Sequence, residues 1–171
     1  IYDIFLTTDT LLKTDKWTQK VLLAKGAPRG AISTREFHNY LGRQLLKEAP
    51  NPEISILAQA AKYNVPVYTS SPGDSTYGMD LANFNHAINK ELSREGAIDL
   101  HINPNLDVME TAAIVAGAKQ NGAILLGGGS PKNFYLQTQP YLWECLGIEK
   151  GGQDYFIQIT MNSPQWGGLS G

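Results

Sequence analysis

The sequence predicts an α/β fold with a mostly parallel sheet covered on both faces. Two observations carry this. Helical and strand patterns alternate through the second half, as βαβ units require, with no internal repeat and no low-complexity linker. Within that half, Ala123-Ile124-Leu125-Leu126 is a short apolar run closed by Gly127-Gly128-Gly129-Ser130-Pro131-Lys132, the pattern of a strand buried on both faces that ends in a glycine loop.

Ile1 to Leu6 fits either a strand or the lead-in to a helix. Thr7 to Lys25 spaces Leu11, Leu12, Val21 and Leu22 among polar residues and stops at Gly26, which predicts a helix. Ala27 to Gly30 is a loop. Ser33 and Glu36 form a capping box that opens a helix through Phe37, Tyr40, Leu41 and Leu45. Ala49-Pro50 breaks it, and Asn51 with Pro52 starts another helix whose apolar face is Ile54, Leu57, Ala58 and Ala61. Val65 to Thr69 is a predicted strand, with Pro66 near its start. A small polar loop, Ser70 to Gly78, leads to a helix over roughly 79–89.

Ala97 to Ile102 is a short strand, ended by Asn103-Pro104-Asn105. Leu106 to Gln120 is an alanine-rich helix, stopped at Asn121-Gly122. After the glycine-loop strand come a helix over 133–146, interrupted by Pro140, and a last strand over 155–160.

At 171 residues the chain is long enough for one domain with a real core and too short for two ordinary ones, so 1–171 reads as a single, partial domain. A net charge of −2 argues against broad nucleic-acid backbone binding, and no run approaches the length of a transmembrane helix. The single Cys145 gives no internal disulfide and fits a reducing cytoplasm, and three scattered histidines offer no metal-ligand spacing. The chain starts at Ile1 and stops in Gly167-Gly168-Leu169-Ser170-Gly171. Both ends read as cut from a longer protein.

The loops after the predicted strands are 70–78, 127–132 and 161–171, and a parallel sheet would gather them at one edge. Glycines there let backbone approach a phosphate-bearing cofactor, although the stretch matches neither G-x-G-x-x-G nor the P-loop pattern and a plain βα turn is the alternative. Asp74 suits ribose hydroxyls or a helix cap. Lys132 suits a phosphate or bulk solvent. His38, His86 and His101 have no nucleophile in a suggestive context. Trp17 and Trp143 read as core or interface aromatics, while Trp166, among glycines, could shape a pocket. From the residues alone the ligand stays unspecified.

Three of these segments carry a resemblance: Tyr68 to Ser75, Leu126 to Phe134, and Gly167 to Gly171. Asn103-Pro104 through Ala112 and Asp154 to Thr160 extend it over nearly the whole chain. Together they resemble the deoxyhypusine synthase family, nearest its bacterial deoxyhypusine synthase-like branch, as the carboxyl-terminal half of the family's domain. The resemblance implies a Rossmann-like three-layer sandwich, incomplete here, in a cytoplasmic homotetramer with active sites at subunit interfaces. It also implies an NAD-dependent transferase that moves the aminobutyl group of spermidine, a polyamine, first to an active-site lysine and then to an amine or protein-lysine acceptor. In related enzymes putrescine is the acceptor and homospermidine the product.

By the same resemblance, Asp74, Gly128, Gly129, Met161 and Asn162 fall on cofactor-binding positions. Asn133, Gly167, Gly168, Leu169 and Met79 fall on substrate-binding positions. The family's nucleophilic lysine lies in an Ala-Val-Ser-Trp-Gly-Lys segment expected beyond Gly171; Lys132 is not its equivalent. No metal is implied. Eukaryotic members carry aspartates at the positions of Met79 and Leu169 and a histidine at that of Asn133. Polyamines are cations that need carboxylates, so these exchanges admit another amine or a non-catalytic NAD-binding homologue.

Overall fold

The computed structural model describes residues 5–93, 97, 99–161 and 163. The chain falls into two compact units, residues 1–103 and 104–171. Both are mixed α/β with short parallel strands.

In the first unit, helix α1 (Thr8–Leu23) begins with the Thr7 hydroxyl accepting from the Thr10 N–H. Strand β1 (Gly30–Ile32) leads into α2 (Thr34–Glu48). The capping box is present in full: Ser33 Oγ accepts from the Glu36 N–H at 3.0 Å, and the Glu36 carboxylate accepts from the Ser33 N–H at 2.9 Å. The helix expected at Asn51-Pro52 is divided. A 3₁₀ turn (Pro52–Ile54) comes first, and α3 (Ile56–Tyr63) starts afresh with Ser55, not Asn51, as its side-chain cap. Helix α4 (Thr76–Glu91) starts three residues before its predicted position, because the Ser75 hydroxyl caps it by accepting from Gly78 N–H.

Strand β2 (Leu100–Ile102) pairs with β1 in parallel, Ala31 opposite His101. The loop reading of 27–30 thus missed the first residue of a three-residue strand whose stability comes from its partner, not from any local pattern. Asn85 of α4 adds to the ladder: its carboxamide accepts from the N–H groups of Asp99 and Leu100 and donates to the Leu100 carbonyl. Val21, Leu22, Ile32, Phe37, Leu41, Leu81, Phe84 and Leu100 form the core between these helices and strands.

The strand expected at 65–69 does not form. Pro66 removes one ladder donor, and side chains of α2 take up other backbone groups: His38 Nδ1–H donates to Val67 O at 2.9 Å, and the Thr69 N–H donates to Thr34 Oγ1 at 3.1 Å. His38 Nε2 faces the Thr69 hydroxyl at 3.2 Å, so both ring nitrogens of this buried histidine are engaged structurally.

In the second unit, α5 (Pro104–Gly117) precedes β3 (Gly122–Leu126), and α6 (Ser130–Leu136) follows the glycine loop. Pro131 in the first turn of α6, where no N–H is required, lets the helix begin ahead of its predicted start. A helical turn (Thr138–Pro140) and a π-helical turn (Tyr141–Cys145) carry the chain on, since Pro140 cannot donate into a regular helix. Strand β4 (Tyr155–Ile159) pairs with β3 in parallel, with Leu126 opposite Ile159. Ala112, Val115 and Leu142 form a small core flanked by Tyr135 and Tyr141. Among the described residues no helix is long and apolar enough to cross a membrane.

Candidate functional site

The parallel register of β3 and β4 brings two of the predicted loops to one edge. Because Leu126 faces Ile159, both chains leave the ladder at the same end, Gly127–Gly129 on one side and Thr160–Met161 on the other. The ladder runs one bond further, from Gly127 N–H to Ile159 O at 2.8 Å. This carboxyl edge is where parallel sheets place their ligands.

Gly127 and Gly129 have φ of +87° and +94°, a region closed to most side chains. A Cβ on either would meet nothing within 4 Å. Backbone angle, not crowding, therefore demands glycine, and the space beside the loop is open to an incoming group. Gly128 is exposed between them. Asn133, exposed in the first turn of α6, donates its N–H to Gly129 O at 3.1 Å. Met161 is fully exposed at the end of β4. A groove of about 360 Å³ runs beside the loop, lined by β3 together with Gly128, Pro131, Lys132 and Tyr135.

Lys132 is not the solvated side chain that one of its two readings from the sequence predicts. It is 5% exposed, and its ammonium donates to Gln158 Oε1 at 3.2 Å. Gln158 Nε2 in turn donates to Gly127 O at 2.8 Å. Sequence reasoning missed Gln158, although a polar residue in the apolar run 155–159 is a visible signal.

Asp74 and Met79 lie in the first unit. Asp74 is exposed, its N–H closing a turn onto Ser71 O at 3.2 Å. Since Ser75 is the helix cap, the Asp74 carboxylate is not consumed in that role. Gly78 holds the loop close: a Cβ there would lie 2.9 Å from the carbonyl oxygens of Pro72 and Gly73. Met79 is exposed on α4. Its neighbour Asp80 is buried, with Gln19 Nε2 at 2.7 Å from its carbonyl oxygen and 3.5 Å from its carboxylate. Burial raises the Asp80 pKa, an effect partly offset by the hydrogen bond from Gln19. Asn162, Trp166, Gly167, Gly168 and Leu169 lie outside the described residues.

His86 and His101 are exposed on α4 and β2. Trp17 packs against the first core and donates its indole N–H to Glu48 at 3.1 Å, whereas Trp143 is largely exposed.

With this geometry in hand, comparison with known proteins is decisive. The family model for deoxyhypusine synthase matches residues 1–171. The chain belongs to the deoxyhypusine synthase family. It is 48% identical over 181 residues to a deoxyhypusine synthase-like protein of Thermosynechococcus vestitus, covering 100% of the chain and 43% of that relative. A deoxyhypusine synthase-like protein of Nostoc punctiforme is 46% identical over 178 residues, with the same coverage of 100% and 43%. A probable deoxyhypusine synthase 2 of Methanosarcina acetivorans is 37% identical over 174 residues, covering 100% of the chain and 46% of the relative. Similarity is thus higher to the cyanobacterial deoxyhypusine synthase-like proteins than to the archaeal one. The chain spans less than half the length of the curated relatives it matches.

Proposed function

We propose that this chain is part of a deoxyhypusine synthase-like transferase that moves the aminobutyl group of spermidine to an amine acceptor with the help of NAD. The observation that carries the reading is the open glycine loop at the carboxyl edge of β3–β4, with Met161 beside it, in a chain of this family. Two positive-φ glycines with free space around them fit a dinucleotide, because backbone there can approach a phosphate or ribose without a Cβ intervening.

NAD would supply a hydride acceptor for the polyamine carbon and return the hydride at the end. Gly128 and Gly129 would hold the cofactor through their backbone, and Asp74 offers a carboxylate for ribose hydroxyls. Met161 and Asn162 would flank the nicotinamide. Asn133, Met79, Gly167, Gly168 and Leu169 would line the amine site. Covalent transfer needs a free amine as nucleophile, which the family supplies from the lysine segment expected beyond Gly171. The same reading includes a Rossmann-like three-layer sandwich, a single domain, a cytoplasmic homotetramer and no metal.

One observation favours a second reading. Met79 presents an exposed thioether where a cationic amine would call for a carboxylate. The exchange leaves room for a homospermidine synthase-like enzyme whose amine, putrescine or another, meets its carboxylates at other positions, or for a non-catalytic NAD-binding homologue that needs no amine site. Intact mass of the full-length protein after incubation with NAD and spermidine and trapping with borohydride separates these. An aminobutyl adduct on the lysine beyond Gly171 is expected. Absence of the adduct, with NAD still bound, selects a different donor amine or the non-catalytic homologue. Where the adduct forms, adding putrescine and assaying for homospermidine tells a small-amine acceptor from a protein lysine.

A further inference from the structure

We infer that Lys132 is a positioning residue that sets the orientation of the peptide between Gly127 and Gly128 by way of Gln158. The inference rests on the reading that Gly128 and Gly129 hold NAD. A lysine ammonium carries only donors, so only the oxygen of the Gln158 carboxamide can face it, here at 3.2 Å. That fixes which way the carboxamide is turned and aims its NH2 at the Gly127 carbonyl, 2.8 Å away. With Lys132 removed, Gln158 could rotate and present its oxygen to that carbonyl, losing the bond.

The Gly127 carbonyl and the Gly128 N–H belong to one peptide unit, and the described residues contain no cis peptide. In a planar trans peptide the two groups point in opposite directions. Holding the carbonyl on Gln158 therefore turns the Gly128 N–H the other way, as a donor in a fixed direction. Gly127 at φ +87° and Gly129 at φ +94° flank a segment that glycine's freedom would otherwise leave unspecified. Among the described residues no carboxylate pairs with the buried Lys132 ammonium, an arrangement that packing alone would not select over methionine.

Two variants of the full-length protein test this. Lys132→Met removes the charge and leaves the shape. Gln158→Glu keeps a partner for Lys132 but loses the donor to Gly127 and sets a carboxylate against its carbonyl. Two quantities are measured: the NAD dissociation constant by calorimetry, and deuterium uptake over residues 124–133 without cofactor. The expected result is NAD affinity weaker by about 3- to 10-fold in Lys132→Met and at least as much in Gln158→Glu, the loss of about one oriented hydrogen bond. Faster uptake at 127–129, with the melting temperature of Gln158→Glu retained, completes it. Wild-type affinity in both variants, with unchanged uptake, overturns the inference and leaves the cofactor reading standing. A wild-type protein that does not bind NAD overturns that reading instead, and unchanged uptake would then remove the peptide lock as well.

Discussion

The strand pair β1–β2 delivers Ile32 and Leu100 to a core built with α1, α2 and α4, in which Phe37, Phe84 and Leu22 are fully buried. The pair β3–β4 does the reverse: Ile124, Leu126, Ile157 and Ile159 are each more than half exposed among the described residues. Both pairs are parallel and both leave their ladder at a carboxyl edge, yet only the second carries the glycine loop. The first unit is specified by packing of large side chains. The second is specified more by backbone: a five-residue register against three in the first, Gly127 and Gly129 both at positive φ within one loop at the strand end, and the Lys132–Gln158–Gly127 chain of hydrogen bonds. A region organised by backbone direction suits ligand contact, and a region organised by volume suits support.

Core truncation in each unit is the strongest way to break this contrast. Phe37→Ala should cost about 3–5 kcal/mol, since an aromatic removed from a closed core leaves a cavity its neighbours cannot fill. Leu142→Ala removes the largest member of a three-residue cluster and should cost about 2–3 kcal/mol, the low end for such changes, because a small cluster can collapse around the gap. Hydrogen exchange on the full-length protein checks both. Phe37→Ala should lower protection in α1, α2 and α4, and Leu142→Ala in α5 and the 138–145 turns. Equal loss of protection throughout both units from either variant would show that the two regions do not differ in the way described.

A smaller effect sharpens the account of the first unit. Ser33→Ala should cost about 1 kcal/mol by removing the hydroxyl half of the reciprocal cap on α2, the Oγ that accepts from the Glu36 N–H, while the Ser33 N–H keeps its bond to the Glu36 carboxylate; it is read as a lower denaturant midpoint with an unchanged slope. This cap was legible in the sequence, because a capping box is local and its two residues need only each other. The glycine loop was legible for the same reason, since left-handed backbone leaves glycine little competition.

What the sequence did not disclose depends on distant partners. Strand β1 exists because β2 lies beside it, and 65–69 is not a strand because Thr34 and His38 reach its backbone first. Lys132 reads as a surface cation until Gln158, 26 residues away, provides its partner. Asp80 was also missed. Its place on α4, four residues before the buried Phe84 and three after Tyr77, would have put it on the inner face once the helix was started at Ser75.

The smallest predicted effect comes from that carboxylate, and it has the opposite sign to the rest. Burial raises the pKa of Asp80 in the folded protein. Between the unfolded and folded values the native state binds more protons, so stability falls as pH rises through that window. Glu48 runs the other way. The hydrogen bond from Lys20, then that from Trp17, lowers its pKa, so its contribution is present above the unfolded value and is lost as pH falls through the folded one. Asp80→Asn removes the cost of a buried charge while an amide oxygen can still accept from Gln19. It should raise the melting temperature at neutral pH by less than Ser33→Ala lowers it, and flatten the decline in stability as pH rises from the ordinary carboxylate range through the raised Asp80 value. A melting temperature that falls at every pH would mean that the ionised carboxylate, through Gln19 and Thr18, ties α4 to α1 more strongly than its burial opposes it.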